Sequence, residues 1–320
     1  MLGHLQVALC GCRRHTEPLV VTIMVTALQM MVARPGLADL SKETLRSDRI
    51  VLGRVAYEDR IDQTALDALG QYLVEMSDDL NRYETLLVQS NRQMIELLRA
   101  GEVDLVPETP FPVLMYEGNA DAEILVRQWQ DGHATYRTHF FTRQSSDIRR
   151  IDDLAGKRVV FESPTSTAGC LVPKAAIEDR SLLVGFPGES VDQTDVELIF
   201  SNSEMNTLGW VARGRVHAGV ISNIDWADDL MAPAGLKKHL RIFHTTSDII
   251  RAMMLASPRL PERRKQNIVD ILLRMHESDK GKAVLKRFYS TTRFDRLDGD
   301  ALASLDNIRS LAQKLGMTTN

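Results

Sequence analysis

The stretch that decides the fold of this chain is VVFESPTSTAG, residues 159–169. A short apolar, β-rich run stops at a Ser-Pro pair, three hydroxyl residues follow, and Ala-Gly opens a segment that the pattern predicts to be a helix. A helix start offers unpaired backbone N–H groups and the positive end of the helix dipole, roughly half an elementary charge. Thr165, Ser166 and Thr167 add hydroxyl donors, so the stretch favours binding of an oxyanion.

The same residues also fit a helix that binds nothing. Serine and threonine cap ordinary helices, and Pro164 suits the first helical position after a Ser163 cap. Pro173 is unfavourable inside a helix, which must therefore either kink there or begin near Val172. The stretch alone leaves these alternatives open.

The N-terminal segment has the composition of a secretory signal peptide. Two arginines at 13 and 14 precede an uncharged run over residues 19–33, and small residues follow up to Ala38. The run is shorter than the ~20 residues that span a bilayer comfortably. We expect a signal peptide over residues 1–38 and a periplasmic mature protein, with an uncleaved N-terminal anchor as the alternative.

The composition and motifs of the chain exclude several classes of binding partner and of chemistry. Residues 1–38 carry three arginines and one glutamate, so their removal changes the net charge from −4 to −6. This mild acidity argues against nucleic acid as a partner. Cys170 is the only cysteine beyond residue 38, so no internal disulfide is expected. The sequence has none of the common hydrolase or zinc motifs, and we expect no catalytic residue, metal or cofactor.

The mature chain alternates predicted strands and helices. The strands are expected at 49–55, 84–89, 102–106, 139–143, 158–161, 196–200 and 217–221, and the helices at 64–80, 90–101, 203–213, 262–277, 280–288 and 299–315. This alternation predicts an α/β fold with two groups of doubly wound, mainly parallel strands. Ligands of such sheets bind outside the carboxyl ends of the strands, where both residues 165–167 and residues 108–109 are expected.

Several segments resemble a known family. Residues 49–55 (RIVLGRV), 98–104 (LRAGEVD) and 153–158 (DLAGKR) are similar to those of type II periplasmic solute-binding proteins. Residues 161–173 and 136–138 resemble, more narrowly, the phosphate, phosphite and phosphonate-binding proteins of ABC importers.

The resemblance extends over nearly all of residues 49–290. It implies two doubly wound α/β lobes joined by crossing segments, with the ligand enclosed between them. The first lobe would comprise residues 39–137 and 244–320 with the C-terminal helices, and the second lobe residues 138–243.

The resemblance also implies a ligand site in the second lobe. Phosphonate-binding members hold the anion with a Ser-Thr-Ser run at a helix start, which corresponds here to Ser166, Thr167 and Ala168. The alanine removes one side-chain donor, and Thr165 is a candidate replacement.

Further contacts are implied on the first lobe and near its edge. Tyr57, Glu108 and Thr109 match the positions after the first and third strands. Glu108 would repel an oxyanion unless it is protonated or pairs with a cationic group such as an amine; otherwise it is a solvated loop carboxylate. Asp225 is a similar candidate on the second lobe, and Tyr136 is either a cleft contact or a packed hinge residue.

These observations predict a monomeric extracytoplasmic binding protein that captures a small oxyanion and delivers it to an ABC permease. The alternative is a sensory binding protein of the same fold that presents its ligand to a membrane receptor or histidine kinase. A third class, an exported hydrolase or lyase that uses Glu108 and Asp225 as acid and base, is the least favoured. The sequence does not choose among phosphate, phosphite, phosphonates and a quite different anion.

Overall fold

The computed structural model describes residues 48–56, 63–186 and 195–317. The predicted signal peptide over residues 1–38 and the candidate site residue Tyr57 lie outside these ranges. In the described part of the chain, none of the helices is both long and apolar enough to span a membrane.

Strands and helices alternate along most of the described chain. The strands are β1 (Arg49–Val55), β2 (Arg82–Val88), β3 (Leu105–Glu108), β4 (Glu123–Gln130), β5 (Thr135–Tyr136), β6 (Thr138–Arg143), β7 (Lys157–Phe161), β8 (Val184–Gly185), β9 (Val196–Phe200), β10 (Ala218–Ser222), β11 (Leu240–Thr245), β12 (Ile249–Ile250), β13 (Ala252–Ala256) and β14 (Thr291–Asp295). The α-helices are α1 (Gln63–Met76), α2 (Asn91–Ala100), α3 (Pro110–Ala120), α4 (Val172–Glu178), α5 (Glu204–Ala212), α6 (Asn223–Ala227), α7 (Ala234–Lys237), α8 (Glu262–Arg274), α9 (Asp279–Arg287) and α10 (Gly299–Lys314).

The strands form two six-stranded sheets, one in each lobe. The first sheet has the order β14-β4-β13-β3-β1-β2, in which β1 runs parallel to β2 and β3 while β13 and β14 are antiparallel to their neighbours. The second has the order β11-β6-β10-β7-β9-β8, with β7 parallel to β9 and β10. This is the expected fold class, two α/β lobes of the type II periplasmic binding protein architecture.

The chain crosses between the lobes twice. It leaves the first sheet after β4 and returns to it at β13, and the two crossing segments pair as the antiparallel strands β5 and β12. We propose the expected lobe boundaries with one adjustment. Strand β11 continues to Thr245 in the second sheet, so the second crossing begins at residue 246 instead of 244.

Both faces of each sheet are buried, which explains why the central strands are nearly continuous apolar runs. In β1, Ile50 and Leu52 pack into one apolar cluster, and Val51 packs into a second cluster on the opposite face. Strand β7 does the same in the second lobe, with Val159 on one face and Val160 on the other. The alternation fixes the register of each strand, because a slip of one residue would exchange the two faces.

Local signals place several elements accurately. The Ser90 side chain accepts a hydrogen bond from the Gln93 backbone N–H at the start of α2, and Gly101 ends that helix with φ of 69°. The segment after residue 106 differs from the expectation. Strand β3 continues through Glu108, and α3 starts at Pro110, because proline is well accommodated where a helix needs no N–H donor.

Candidate functional site

A cavity of about 350 Å³ lies between the two lobes, at the carboxyl ends of their central parallel strands. Its first-lobe and crossing-segment lining consists of Arg54, Val55, Glu108, Thr109, Pro112, Tyr136, Arg251 and Tyr289. Its second-lobe lining consists of Glu162, Ser163, Thr165, Ser166, Ala168, Gly169, Asn202, Glu204, Val220, Ile221, Ser222, Asp225 and Met231. The position is the one that open parallel sheets favour for ligands.

The predicted helix start forms one wall of this cavity, with a different beginning from the one expected. A π-helical turn, Thr167–Leu171, leads directly into α4, and Ser166 is its N-cap residue. The Ser166 hydroxyl accepts a hydrogen bond from the Gly169 N–H at 2.9 Å. The interpretation of Ser163 as the cap and Pro164 as the first helical residue is therefore wrong. Of the two alternatives for Pro173, an α-helix that begins at Val172 is the one observed.

Thr167 does not line the cavity, contrary to its expected role as a ligand donor. Its side chain is 1% exposed. Its Oγ1 accepts a hydrogen bond from the Phe111 N–H at 2.9 Å and donates to Thr109 Oγ1 at 3.2 Å. Because Thr109 and Phe111 belong to the first lobe, the Thr167 hydroxyl links the two lobes.

The remaining hydroxyl and backbone groups of the helix start do border the cavity. Thr165, Ser166 and Ala168 all line it. The Ala168 carbonyl accepts a hydrogen bond from Thr138 Oγ1 at 2.8 Å, which holds this turn against β6. The alanine therefore occupies the expected position without a side-chain donor of its own.

Two arginines on the opposite side were not among the predicted site residues. Arg54 lies near the end of β1, with its guanidinium 4.2 Å from the centre of the Tyr289 ring. Arg251 lies directly before β13, with its guanidinium 4.6 Å from the centre of the Tyr136 ring. The Arg251 Nε atom is buried and has no hydrogen-bond partner in the described part of the chain. Arg54 lies near the end of the predicted strand at 49–55, which is the signal that could have identified it; no strand was predicted beside Arg251.

Glu108 is buried, and its interpretation as a solvated loop carboxylate is wrong. It ends β3 and is 5% exposed. Its Oε2 accepts a hydrogen bond from the Thr109 N–H at 2.9 Å, whereas its Oε1 has no hydrogen-bond partner within residues 48–56, 63–186 and 195–317. Burial raises the pKa of Glu108, and the positive charges of Arg54 and Arg251 oppose that rise.

Three further carboxylates lie on the second-lobe side. Glu162, Glu204 and Asp225 follow the ends of β7, β9 and β10, and all three line the cavity. Burial raises the pKa of Glu162 to about 8, and the nearby charges of Glu204 and Asp225 add to the rise. Asp225 was predicted. Glu162 was missed, although it directly follows a predicted strand, and Glu204 was missed in the first turn of a predicted helix.

Tyr136 combines the two roles that the sequence left open. It lines the cavity and also belongs to the apolar core cluster that includes Ile249 and Leu171. Burial raises the pKa of its hydroxyl to about 12. In β5 it pairs with Ile249 of β12, so it lies where the chain crosses between the lobes.

The two lobes, the double crossing and the enclosed cleft define a type II periplasmic solute-binding protein. Residues 55–302 match the model of a family described as ABC transporter, phosphonate, periplasmic substrate-binding protein. This match covers most of the chain, which therefore belongs to that family. Its members are periplasmic substrate-binding components of transporters and not enzymes.

Solved structures show the same fold. XAC2383 from Xanthomonas citri bound to ATP is 26% identical, with 86% of this chain and 100% of that chain covered and a TM-score of 0.76. The same protein bound to chloride ion gives 27% identity, 84% and 99% coverage, and a TM-score of 0.75. PhnD1 from Prochlorococcus marinus in complex with methylphosphonate is 18% identical, with 84% and 98% coverage and a TM-score of 0.65.

Proposed function

We propose that this protein captures a small oxyanion, a phosphonate or a phosphite- or phosphate-like ion, between its lobes and delivers it to an ABC permease. One observation carries the proposal: two arginines face a helix start across the same cavity. Arg54 and Arg251 supply fixed positive charge from the first lobe. In the second lobe, Thr165 and Ser166 lie at the N-terminus of a helix, which is the positive end of its dipole. The family describes a transport component, so we propose transport and not the sensory alternative.

The charges in the cavity further limit the chemical class of ligand that we propose. Four acidic side chains and two arginines of the described residues line it. A donor-free anion would satisfy the arginines and supply no positive charge to the acidic side of the second lobe, which Glu162, Glu204 and Asp225 form. An ammonium group at the other end of the ligand would supply that charge. We therefore propose an aminoalkylphosphonate as a better ligand than inorganic phosphate.

Binding would stabilise the closed arrangement of the lobes. The ligand contacts both lobes, so its affinity for the closed form exceeds its affinity for the open form, and the population shifts accordingly. We expect the protein to act as a periplasmic monomer, because one chain contributes both walls of the cavity.

The test is a thermal-shift screen followed by calorimetric titration of the purified mature protein. The screen contains phosphate, phosphite, methylphosphonate and 2-aminoethylphosphonate, together with chloride and ATP, to which XAC2383 from Xanthomonas citri is bound in its two structures. A ligand at one hundred times its Kd stabilises the fold by ~2.7 kcal/mol.

Substitution of an arginine checks that the screen reports this cavity. Arg251→Met removes a cavity charge and is expected to weaken binding of the best ligand by about 10- to 100-fold. Arg92→Met removes an exposed charge on α2 and is the matched control, with unchanged affinity. A screen without any bound oxyanion, or equal affinities in the two variants, would contradict the proposed function.

A further inference from the structure

One buried carboxylate oxygen at the cavity, Glu108 Oε1, lacks a hydrogen-bond donor among the described residues. Glu108 is 5% exposed and lines the cavity, and its two carboxylate oxygens have different surroundings. Oε2 is satisfied by the Thr109 N–H, and Oε1 is buried with no hydrogen-bond partner among the residues that the structure describes. Most buried polar atoms in proteins are paired, so an exception at a ligand cavity indicates a donor that the ligand supplies.

Resting on the proposed function, we propose that Glu108 determines specificity by accepting a hydrogen bond from a P–OH group of the ligand. Phosphonates and phosphite retain such a hydrogen when singly charged. Sulfonates of the same shape and charge have none. A sulfonate would present a bare oxygen to Oε1, so two acceptors would face each other. Glu108 therefore selects phosphorus oxyanions against sulfonates.

The choice between phosphonate and sulfonate depends on Glu108, because the neighbouring arginines do not distinguish the two anions. Arg54 and Arg251 attract any anion into the cavity and do not distinguish a phosphonate from a sulfonate of equal charge. An acceptor that stays unpaired does distinguish them, because a site built to receive a hydrogen bond rejects an analogue that lacks the donor. Leaving such a buried group unpaired corresponds to a preference of about 10- to 100-fold.

The structure also defines a variant that reverses the preference. In Glu108→Gln, the Thr109 N–H still requires an acceptor, so it holds the amide oxygen at the position of Oε2. The amide nitrogen then takes the position of Oε1 and becomes a donor toward the cavity. It can donate to an oxygen of either anion, so the preference for the phosphonate is lost mainly through tighter sulfonate binding.

The experiment measures four ligands by calorimetry in a mildly acidic buffer, where the phosphonates keep one acidic proton. Methylphosphonate is compared with methanesulfonate, and 2-aminoethylphosphonate with 2-aminoethanesulfonate. The wild-type protein is expected to prefer the phosphonate by about 10- to 100-fold in both pairs, and Glu108→Gln to bring both ratios close to one.

Glu117→Gln is the matched control. Glu117 lies on α3, the helix that follows Glu108 in the chain. It is partly buried, pairs with Arg309 and does not line the cavity. This variant is expected to keep both wild-type ratios. If Glu108→Gln does not fold, as judged by circular dichroism, Glu108→Ala removes the same acceptor and is expected to reduce the ratios.

Each other outcome overturns the inference. Equal wild-type affinities within the methyl pair would show that no acceptor discriminates. If 2-aminoethanesulfonate bound as tightly as its phosphonate, the amine and not P–OH would be the donor to Glu108. Unchanged ratios in Glu108→Gln would mean that Glu108 is itself a protonated donor or does not contact the ligand. If none of the four compounds bound, the proposed function would fail as well, which separates that failure from a failure of selectivity alone.

Discussion

Replacement of Thr167 by valine tests whether the hydrogen bonds between the lobes contribute to ligand affinity. Valine has nearly the shape of threonine, so the packing is retained and only the hydroxyl is lost. In the closed arrangement, the Phe111 N–H then loses the acceptor that lies 2.9 Å away. In an open form, water reaches this N–H group, so the loss falls on the closed form alone.

The size of the effect follows from this difference. A buried backbone donor without a partner costs ~1–3 kcal/mol, which shifts the equilibrium between closed and open forms by roughly 5- to 150-fold. Only the closed form encloses the ligand completely, so the apparent Kd rises as the closed population falls. We expect the Kd for methylphosphonate to rise by up to that factor.

The assay combines calorimetric titration with small-angle scattering of the ligand-free protein. Thr142→Val is the matched control, because Thr142 is also buried and its hydroxyl donates to the His217 carbonyl at 2.6 Å within the second lobe. The control is expected to lower the free energy of unfolding by ~1 kcal/mol and to leave the Kd unchanged. A wild-type Kd in Thr167→Val, with unchanged scattering, would refute the reasoning.

The remaining predictions concern the helix start and one distant position. Because burial raises the pKa of Glu162 from 4.5 to about 8, its proton stabilises the fold fully below pH 4.5, and this contribution is lost as pH rises through 8. The free energy of unfolding in urea is therefore expected to fall over this window in the wild type and not in Glu162→Gln; parallel curves would contradict this. Ser166→Ala removes the cap on the Gly169 N–H and is expected to cost ~1 kcal/mol of unfolding free energy in the same assay. Gly169→Ala would place a Cβ atom 2.6 Å from the Glu162 carboxylate, and Gly281→Ala would place one in steric overlap with the Met275 backbone carbonyl. Both are expected to lower the melting temperature, but only the first to weaken methylphosphonate binding, as calorimetry would show.

Most of the fold could be predicted from the sequence, because its signals are local. The alternating buried faces of β1 and the Ser90 and Gly101 caps of α2 each depend on a few consecutive residues. The helix α3 and the strand β4 were missed. Two prolines at residues 110 and 112 resemble a loop, and only the burial of their neighbours in the first-lobe core shows that they begin a helix.

The charged groups of the interior show the limit of local reasoning. The charged run from Glu262 to Lys265 has the sequence pattern of a solvated helix start, but Lys265 is buried and its ammonium contacts the Glu123 carboxylate. The partner lies on β4, more than a hundred residues earlier. The charge pattern along one helix therefore cannot show which distant residue forms an ion pair with it.

The same limit explains why the sequence predicted hydroxyl groups at the site and missed its charges. Thr165 and Ser166 lie together in the chain, and their pattern at a helix start is visible without a structure. Arg54 and Arg251 are separated by almost two hundred residues. They line one cavity because β13 runs antiparallel beside β3, so that the start of β13 meets the end of β3, next to β1. That pairing places the Arg251 guanidinium beside Glu108. The cavity therefore carries both positively and negatively charged side chains, whereas the sequence predicted a site dominated by hydroxyl and backbone donors. A ligand for this cavity must therefore offer acceptors to the arginines and a donor to the carboxylate at once.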